Sequence, residues 1–168
     1  FDYRQLTSFL QEAESAAREE NEADAADDAA NKLLLDLCRL AHKRTERSTY
    51  QAMQSLIHNL NTMNSRAGAQ VPFTSINYGT GTGEAARLVM RQLLQATEDG
   101  LGNGETAIFP VQIFKVKDGI NSQPGDPNYD LFQQAIRVSA KRLFPNFSFL
   151  DAPFNLQYYR PGDDNSEV

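Results

Sequence analysis

The sequence predicts an α/β fold built on a mainly parallel sheet, and three observations carry that prediction. Strand-like and helix-like segments alternate as β-α-β-α-β between residues 71 and 151. The central strand candidate, AIFPVQIFKV (107–116), is a nearly continuous apolar run, as a strand buried on both faces requires. The intervening segments have helical periodicity and enough length to cross over between parallel strands.

Composition sets the outer bounds. The 168 residues suffice for one domain with a core, and 40% hydrophobic with 23% charged residues is ordinary for a globular chain. The net charge of −6 argues against a nucleic-acid groove, which needs clustered Lys and Arg. It leaves nucleotides open, because backbone N–H groups and one or two cations can hold them. The single cysteine, Cys38, excludes an internal disulfide and fits a reducing, cytoplasmic setting. No stretch reaches membrane-span length. A start at Phe1 rather than Met fits an internal piece of a longer protein or a trimmed whole one.

The elements follow in order. EAESAAREENEADAADDAA, within residues 1–30, holds Ala and acids almost exclusively, so a short helix near 3–18 and a solvated acidic connector are expected. From 31 to 63, Leu34, Leu37, Cys38, Ala41, Thr45, Ser48, Ala52, Leu56, Leu60 and Met63 recur at helical spacing. One long amphipathic helix is expected there. It either pairs with a helix of another subunit or serves as a plain core helix. The third region, 64–168, opens with the polar, small-residue stretch NSRAGAQ. Strands are expected at 71–78, 107–116 and 146–151, with Pro110 bending the second. The helix EAARLVMRQLLQATED should bury Ala85, Leu88, Val89, Leu93 and Ala96 and stop at Gly100. The next should start at Asp126 as cap with Pro127 in its first turn.

Few residues suggest chemistry on their own. INYGTGTGEAARL (76–88) has the order strand, glycines, helix that binds phosphate. Yet Glu84 stands where a third small residue belongs, and no Walker lysine is present. A glycine-rich turn is the simpler reading, and a Rossmann-type dehydrogenase is disfavoured. His42 and His58 lie far apart on one helix and support no zinc site. Cys38 reads as an inert packed thiol. Asp151 is a lone carboxylate for which a turn or cap role is simplest. In NSRAGAQ, Asn64, Ser65, Arg66 and Gln70 could read a small ligand, although composition alone fits a surface loop.

HNLNTMNSRAGAQVPFTSINYGT (58–80), GLGNGETAIFPVQIFKVKDGIN (100–121), PGDPNYDLFQQA (124–135) and AKRLFPNFSFLDAPFN (140–155) together resemble anaerobic (class III) ribonucleoside-triphosphate reductases. The resemblance implies part of a ten-stranded α/β barrel, a β-α-β-α-β half-barrel segment preceded by a dimer-interface helix. It implies reduction of ribonucleoside triphosphates by glycyl- and thiyl-radical chemistry, with formate as reductant and a structural zinc elsewhere in the full protein. The thiyl cysteine belongs to a Gly-Cys-Arg motif expected beyond Val168, so no catalytic residue and no bound cofactor or metal is expected in this chain.

On the same resemblance, Asn64, Ser65, Arg66 and Gln70 belong to a loop relaying effector identity to substrate choice. Lys43, Arg44 and Gln51 are placed on the helix that holds a dNTP or ATP effector. The implied partners are those nucleotides, a second copy of the chain and a radical-SAM activating enzyme, with neither nucleic acid nor membrane. An open half-barrel is expected to expose an unpaired edge and an apolar interior. The alternative is a non-catalytic nucleotide-sensing or dimerisation module of the same fold.

Overall fold

The computed structural model describes residues 7–8, 11–12, 25–63 and 70–158. The chain divides into two compact units, Phe1–Ser48 and Thr49–Val168, with the division inside a single long helix. That helix, α1, spans Ala25–Thr62. It begins six residues earlier than the pattern predicted, in what was expected to be acidic connector. Ala-rich sequence propagates a helix readily. Of the short helix expected at 3–18, Thr7, Ser8, Gln11 and Glu12 are helical, and the rest lies outside the described residues.

In the first unit, Cys38 is a buried free thiol. Leu33, Leu37 and Leu40, in contrast, are 62%, 54% and 47% exposed. Leu37 therefore does not join the buried stripe expected of it.

The second unit is built on a parallel sheet of β1 (Ser75–Tyr78), β2 (Val111–Val116) and β3 (Asn146–Phe149), in the order β1-β2-β3. Ser75 pairs with Val111 and Tyr78 with Phe114, and Ile113 pairs with Asn146 and Val116 with Phe149. Helix α2 (Glu84–Asp99) connects β1 to β2, and α3 (Tyr129–Arg142) connects β2 to β3. A four-residue helix, α4 (Pro153–Leu156), follows β3.

Both leading strands are shorter than predicted, for one physical reason. Pro110 has no N–H, and the N–H groups of Ile108 and Phe109 donate to the Asn61 side chain instead of to a neighbouring strand. β2 therefore starts after Pro110 rather than bending at it. β1 can pair only where β2 exists, and its first link is Val111 N–H to the Thr74 carbonyl at 2.9 Å. β3 ends two residues short of 151, where the Leu150 N–H makes a final bond to the Val116 carbonyl.

Alternate strand residues face the helices. Met90, Leu94, Phe114, Val116, Leu131, Ala135 and Val138 form the main core, with Tyr78, Phe132 and Phe147 against it. Phe132 and Phe147 meet edge to face with centroids 5.9 Å apart, and Tyr78 meets Phe114 likewise at 5.5 Å. Each such pair adds about 0.5–1.5 kcal/mol beyond its buried area. A second cluster joins Ile57 of α1 to Leu93 and Ala96 of α2, with Tyr50, Met53 and Ile76 beside them. The packed face of α1 here is Tyr50-Met53-Ile57, one position round from the predicted Ala52-Leu56-Leu60 stripe. On α2, Leu88, Leu93 and Ala96 are buried as expected, while Val89 and Ala85 are exposed and Met90 and Leu94 take their place.

Helix ends are set by distant groups. The Arg142 guanidinium donates to the carbonyls of Glu98, Asp99 and Gly104, covering the C-terminus of α2. Gly100 ends that helix at φ +79, as the sequence suggested. α3 starts at Tyr129 with Asn128 at its cap position, not Asp126. Asp126 instead closes the preceding turn by accepting from the Gln123 N–H at 2.9 Å.

Gly79 follows β1 at φ +129, and a Cβ there would stand 2.4 Å from the Lys115 carbonyl oxygen. Gly79→Ala is therefore expected to cost at least about 2 kcal/mol. Gly83 has open space around it, so Gly83→Ala should stay within about 1 kcal/mol. Thermal melts of the two variants check the contrast.

Candidate functional site

In a parallel sheet, ligands gather where strands end and helices begin. Here that edge is formed by the 79–83 loop, the 117–128 connection and the turn after β3. Two asparagines with no exposed surface, Asn121 and Asn128, tie the first two together. The Gly79 carbonyl accepts from Asn121 Nδ2 and from Asn128 Nδ2, each at 3.0 Å. Asn121 also donates to the Lys115 carbonyl at 2.9 Å and accepts from the Lys117 N–H at 2.9 Å. Asn128 also donates to the Gly81 carbonyl at 2.9 Å.

Arg87 completes the clasp from α2. It donates to Asn128 Oδ1 at 2.6 Å, to the Pro127 carbonyl, and to both oxygens of Asp130 at 2.9 Å. Arg91 reaches Asp130 as well, at 3.2 Å. The glycine loop thus offers its carbonyls to buried amides, and Glu84 opens the following helix. This arrangement fixes the turn through its carbonyls. After β3, Asp151 accepts from the Asp118 N–H at 2.6 Å and so caps the neighbouring turn.

The other sheet face is chemically distinct. Alternation places Ser75, Asn77, Val111, Ile113, Lys115, Asn146 and Ser148 on it. None of them belongs to either apolar cluster. The face expected to be an apolar interior is therefore mostly polar, with Lys115 and Ser148 paired in register at its C-terminal end.

The other edge, where strands begin, receives the chain from α1. Tyr50 donates to Asp99 Oδ2 at 2.5 Å and accepts from Gln54 at 2.8 Å. Burial, followed by the Asp99 hydrogen bond and charge, pushes the Tyr50 phenol up to about 12, so it remains a donor at ordinary pH. Deeper in, burial likewise raises Tyr78, whose hydroxyl donates to Gln112 Oε1 at 2.7 Å. Gln112 in turn donates to Thr97 at 2.8 Å. Among the described residues no buried side-chain polar atom lacks a partner.

Of the residues singled out from sequence, Asn64, Ser65 and Arg66 lie outside the described residues. Gln70 is exposed ahead of β1. Lys43 and Arg44 are exposed on α1 in the first unit, and Gln51 is exposed on α1 in the second. His58 is exposed near the end of α1, with Nδ1 3.5 Å from the Thr62 hydroxyl. Among the described residues no group of three or more His, Cys, Asp or Glu could hold a metal ion. Sequence reasoning missed Arg87, Asn121, Asn128 and Asn61. Amide side chains within Gly- and Pro-rich turns were the available signal, since such residues often replace backbone partners.

The family model described as anaerobic ribonucleoside-triphosphate reductase matches residues 4–167. A protein of that name from Salmonella typhimurium is 41% identical over 107 residues, covering 63% of this chain and 15% of its own length. One from Escherichia coli is 40% identical over the same shares. The counterpart from Enterobacteria phage T4 is 36% identical over 121 residues, 71% of this chain and 20% of its own. The chain thus spans a fifth or less of these curated relatives.

The Asp130 carboxylate sits in a charge cluster that sets a pH dependence. Partial burial raises its pKa, but the Arg87 hydrogen bonds and charge, with hydrogen bonds from Arg91 and the Leu131 backbone, outweigh this and leave it lowered. The unfolded value is about 3.9, so the stabilisation is present above that pH and is lost as pH falls through the lower folded value. The pair is half exposed, so the effect is about 1 kcal/mol or less. Asp130→Asn should lower the thermal midpoint at neutral pH by no more than about 2–4 °C, and the difference from the parent should shrink near pH 3.

Proposed function

Because the chain belongs to the anaerobic ribonucleoside-triphosphate reductase family, we propose that it is a segment of a catalytic subunit reducing ribonucleoside triphosphates to 2′-deoxyribonucleoside triphosphates. The observation that carries the reading is the one-sided sheet. Parallel sheets are normally covered on both faces, and here the helices pack on one face while the other presents Ser75, Asn77, Lys115, Asn146 and Ser148. Barrel closure accounts for that asymmetry. β1, β2 and β3 are three staves of a ten-stranded α/β barrel, the helices form its outer layer, and the polar face lines a substrate-filled interior.

The described residues do not fit the family's radical machinery. Cys38 is a buried thiol on α1, and no metal-binding cluster accompanies it. No step of the radical reaction is assigned to this segment. The glycyl radical, the structural zinc and the formate-dependent step belong to other parts of the longer protein, as does docking of the radical-SAM activating enzyme. No described helix is long and apolar enough to cross a membrane, and a cytoplasmic setting is part of the same reading.

The segment's own task is substrate selection. Asn64, Ser65, Arg66 and Gln70 form the loop that carries effector identity to the substrate base, and Lys43, Arg44 and Gln51 contact a dNTP or ATP effector from α1. A ligand shifts such a loop only by binding its alternative states unequally. In the full reductase, Arg66→Ala should flatten the dependence of substrate preference on the bound dNTP. Preference unchanged across all effectors would remove Arg66 from the relay.

Dimerisation is assigned to α1. Its exposed leucines, Leu33, Leu37 and Leu40, recur at helical spacing and suit the same helix of a second copy. Leu56 and Leu60 are half-buried beside Ile57, so they test this less cleanly. Leu37→Glu combined with Leu40→Glu should weaken the dimer about tenfold or more in sedimentation equilibrium. An unchanged dimer would return α1 to a role within one subunit.

A further inference from the structure

The sheet face opposite the helices carries polar side chains that the fold does not use. Elsewhere in the second unit, amide side chains serve as internal ties: Asn61 to Phe109, Gln112 to Thr97, Asn121 to Gly79 and Asn128 to Gly81. Asn77 of β1 and Ser148 of β3 differ. Among the described residues, neither side chain makes a hydrogen bond, and neither belongs to an apolar cluster. Strands of a parallel sheet are normally rich in Val, Ile and Leu, and asparagine is depleted in strands. An amide and a hydroxyl at these two positions therefore call for a reason outside the packing.

Their placement supplies one. Asn77 pairs in register with Ile113, and Ser148 with Lys115, so the two flank β2 from opposite sides. Alternation puts both on the same face as Ile113, which is half-buried between them. β1 and β3 lie about 10 Å apart across β2. Two hydrogen-bonding groups thus stand on either side of an apolar floor. They lie toward the C-terminal ends of the strands, where ligands of parallel sheets gather. Enclosure grows in the same direction: Asn146 is exposed, Ser148 is half-buried and Lys115 is 5% exposed.

The chemistry of the pair narrows the ligand. An amide and a hydroxyl are neutral, and each both donates and accepts. A phosphate oxygen only accepts, and cations or N–H groups match it better. A sugar hydroxyl donates and accepts as well, and a sugar ring has a C–H face that suits Ile113.

We propose that Asn77 and Ser148 are substrate-binding residues that hydrogen-bond the ribose hydroxyls of the ribonucleotide from opposite sides, with Ile113 beneath the ring. This rests on the reading of the chain as a reductase segment and of this face as barrel lining. The contacts are made to the sugar, so they are the same for every base. Because neither side chain ties the fold together, its loss is felt in substrate binding and not in stability.

The test uses the full-length reductase, each ribonucleoside triphosphate with its matched dNTP effector at saturation, and a thermal melt of every variant. Asn77→Ala and Ser148→Ala should each lower kcat/KM about fivefold or more, by a similar factor for every base, and leave the midpoint within about 1 °C. A 2′,3′-dideoxynucleoside triphosphate, used as a competitive inhibitor of reduction, has no such hydroxyls to lose. Its inhibition constant should therefore change less than about twofold.

Unchanged kcat/KM in both variants overturns the assignment, and so does an equal loss of affinity for the dideoxy inhibitor. A midpoint that falls in step with activity shows a structural role and overturns it too. An unmodified enzyme that reduces no ribonucleoside triphosphate overturns the reductase reading and this inference together. One that reduces them, with variants indistinguishable from it, overturns the inference alone. Asn77→Val, which suits a strand and carries no hydrogen-bonding group, replaces Asn77→Ala should that variant accumulate poorly, with the same expected outcome.

Discussion

The carbonyl oxygen of Gly79 holds two buried amide donors, and the arrangement of the second unit follows from that double acceptance. Asn121 comes from the connection after β2, and Asn128 stands at the start of α3. Both meet the same oxygen at the end of β1. Two crossover connections are thereby pinned to one point, with Arg87 adding a third side from α2. The positive φ of Gly79 is what turns its carbonyl toward both amides, and the close approach to the Lys115 backbone leaves no room for a side chain. Strand register, the start of α2 and the start of α3 all inherit their positions from this contact.

The order of elements was legible in the sequence because alternating periodicity survives without knowledge of partners. The long helix, the glycine turn, the Gly100 stop and the three strands all emerge at about their predicted places. Boundaries failed where a distant group intervened. β2 is shortened by Asn61, which lies 48 positions before Phe109, and no local pattern reports such a bond. The cap of α3 was assigned to Asp126 on local chemistry, yet Asn128 occupies it because its side chain serves the Gly79 loop. The packed face of α1 was misjudged by one position, because a weakly amphipathic helix does not declare which side meets α2.

The candidate site was less legible than the fold. Glycines followed by a helix suggest phosphate, but the same geometry arises whenever a strand must turn sharply beneath buried amides. Glu84 and the missing lysine argued for the turn, and Asn121 and Asn128 supply its mechanism. Of the residues singled out in NSRAGAQ, Gln70 is exposed ahead of β1, at the edge where the strands begin.

The sheet also has a consequence for how the protein is made. Each strand pairs with the next one in the sequence, and each helix between them packs as soon as both its flanking strands exist. Ser75 meets Val111 and Ile113 meets Asn146 only after a whole crossover connection has been made, and parallel pairing of this kind is slow relative to helix formation. The face opposite the helices carries Ser75, Asn77, Asn146 and Ser148 beside the buried Lys115, and such polar side chains tolerate water while the chain is still incomplete.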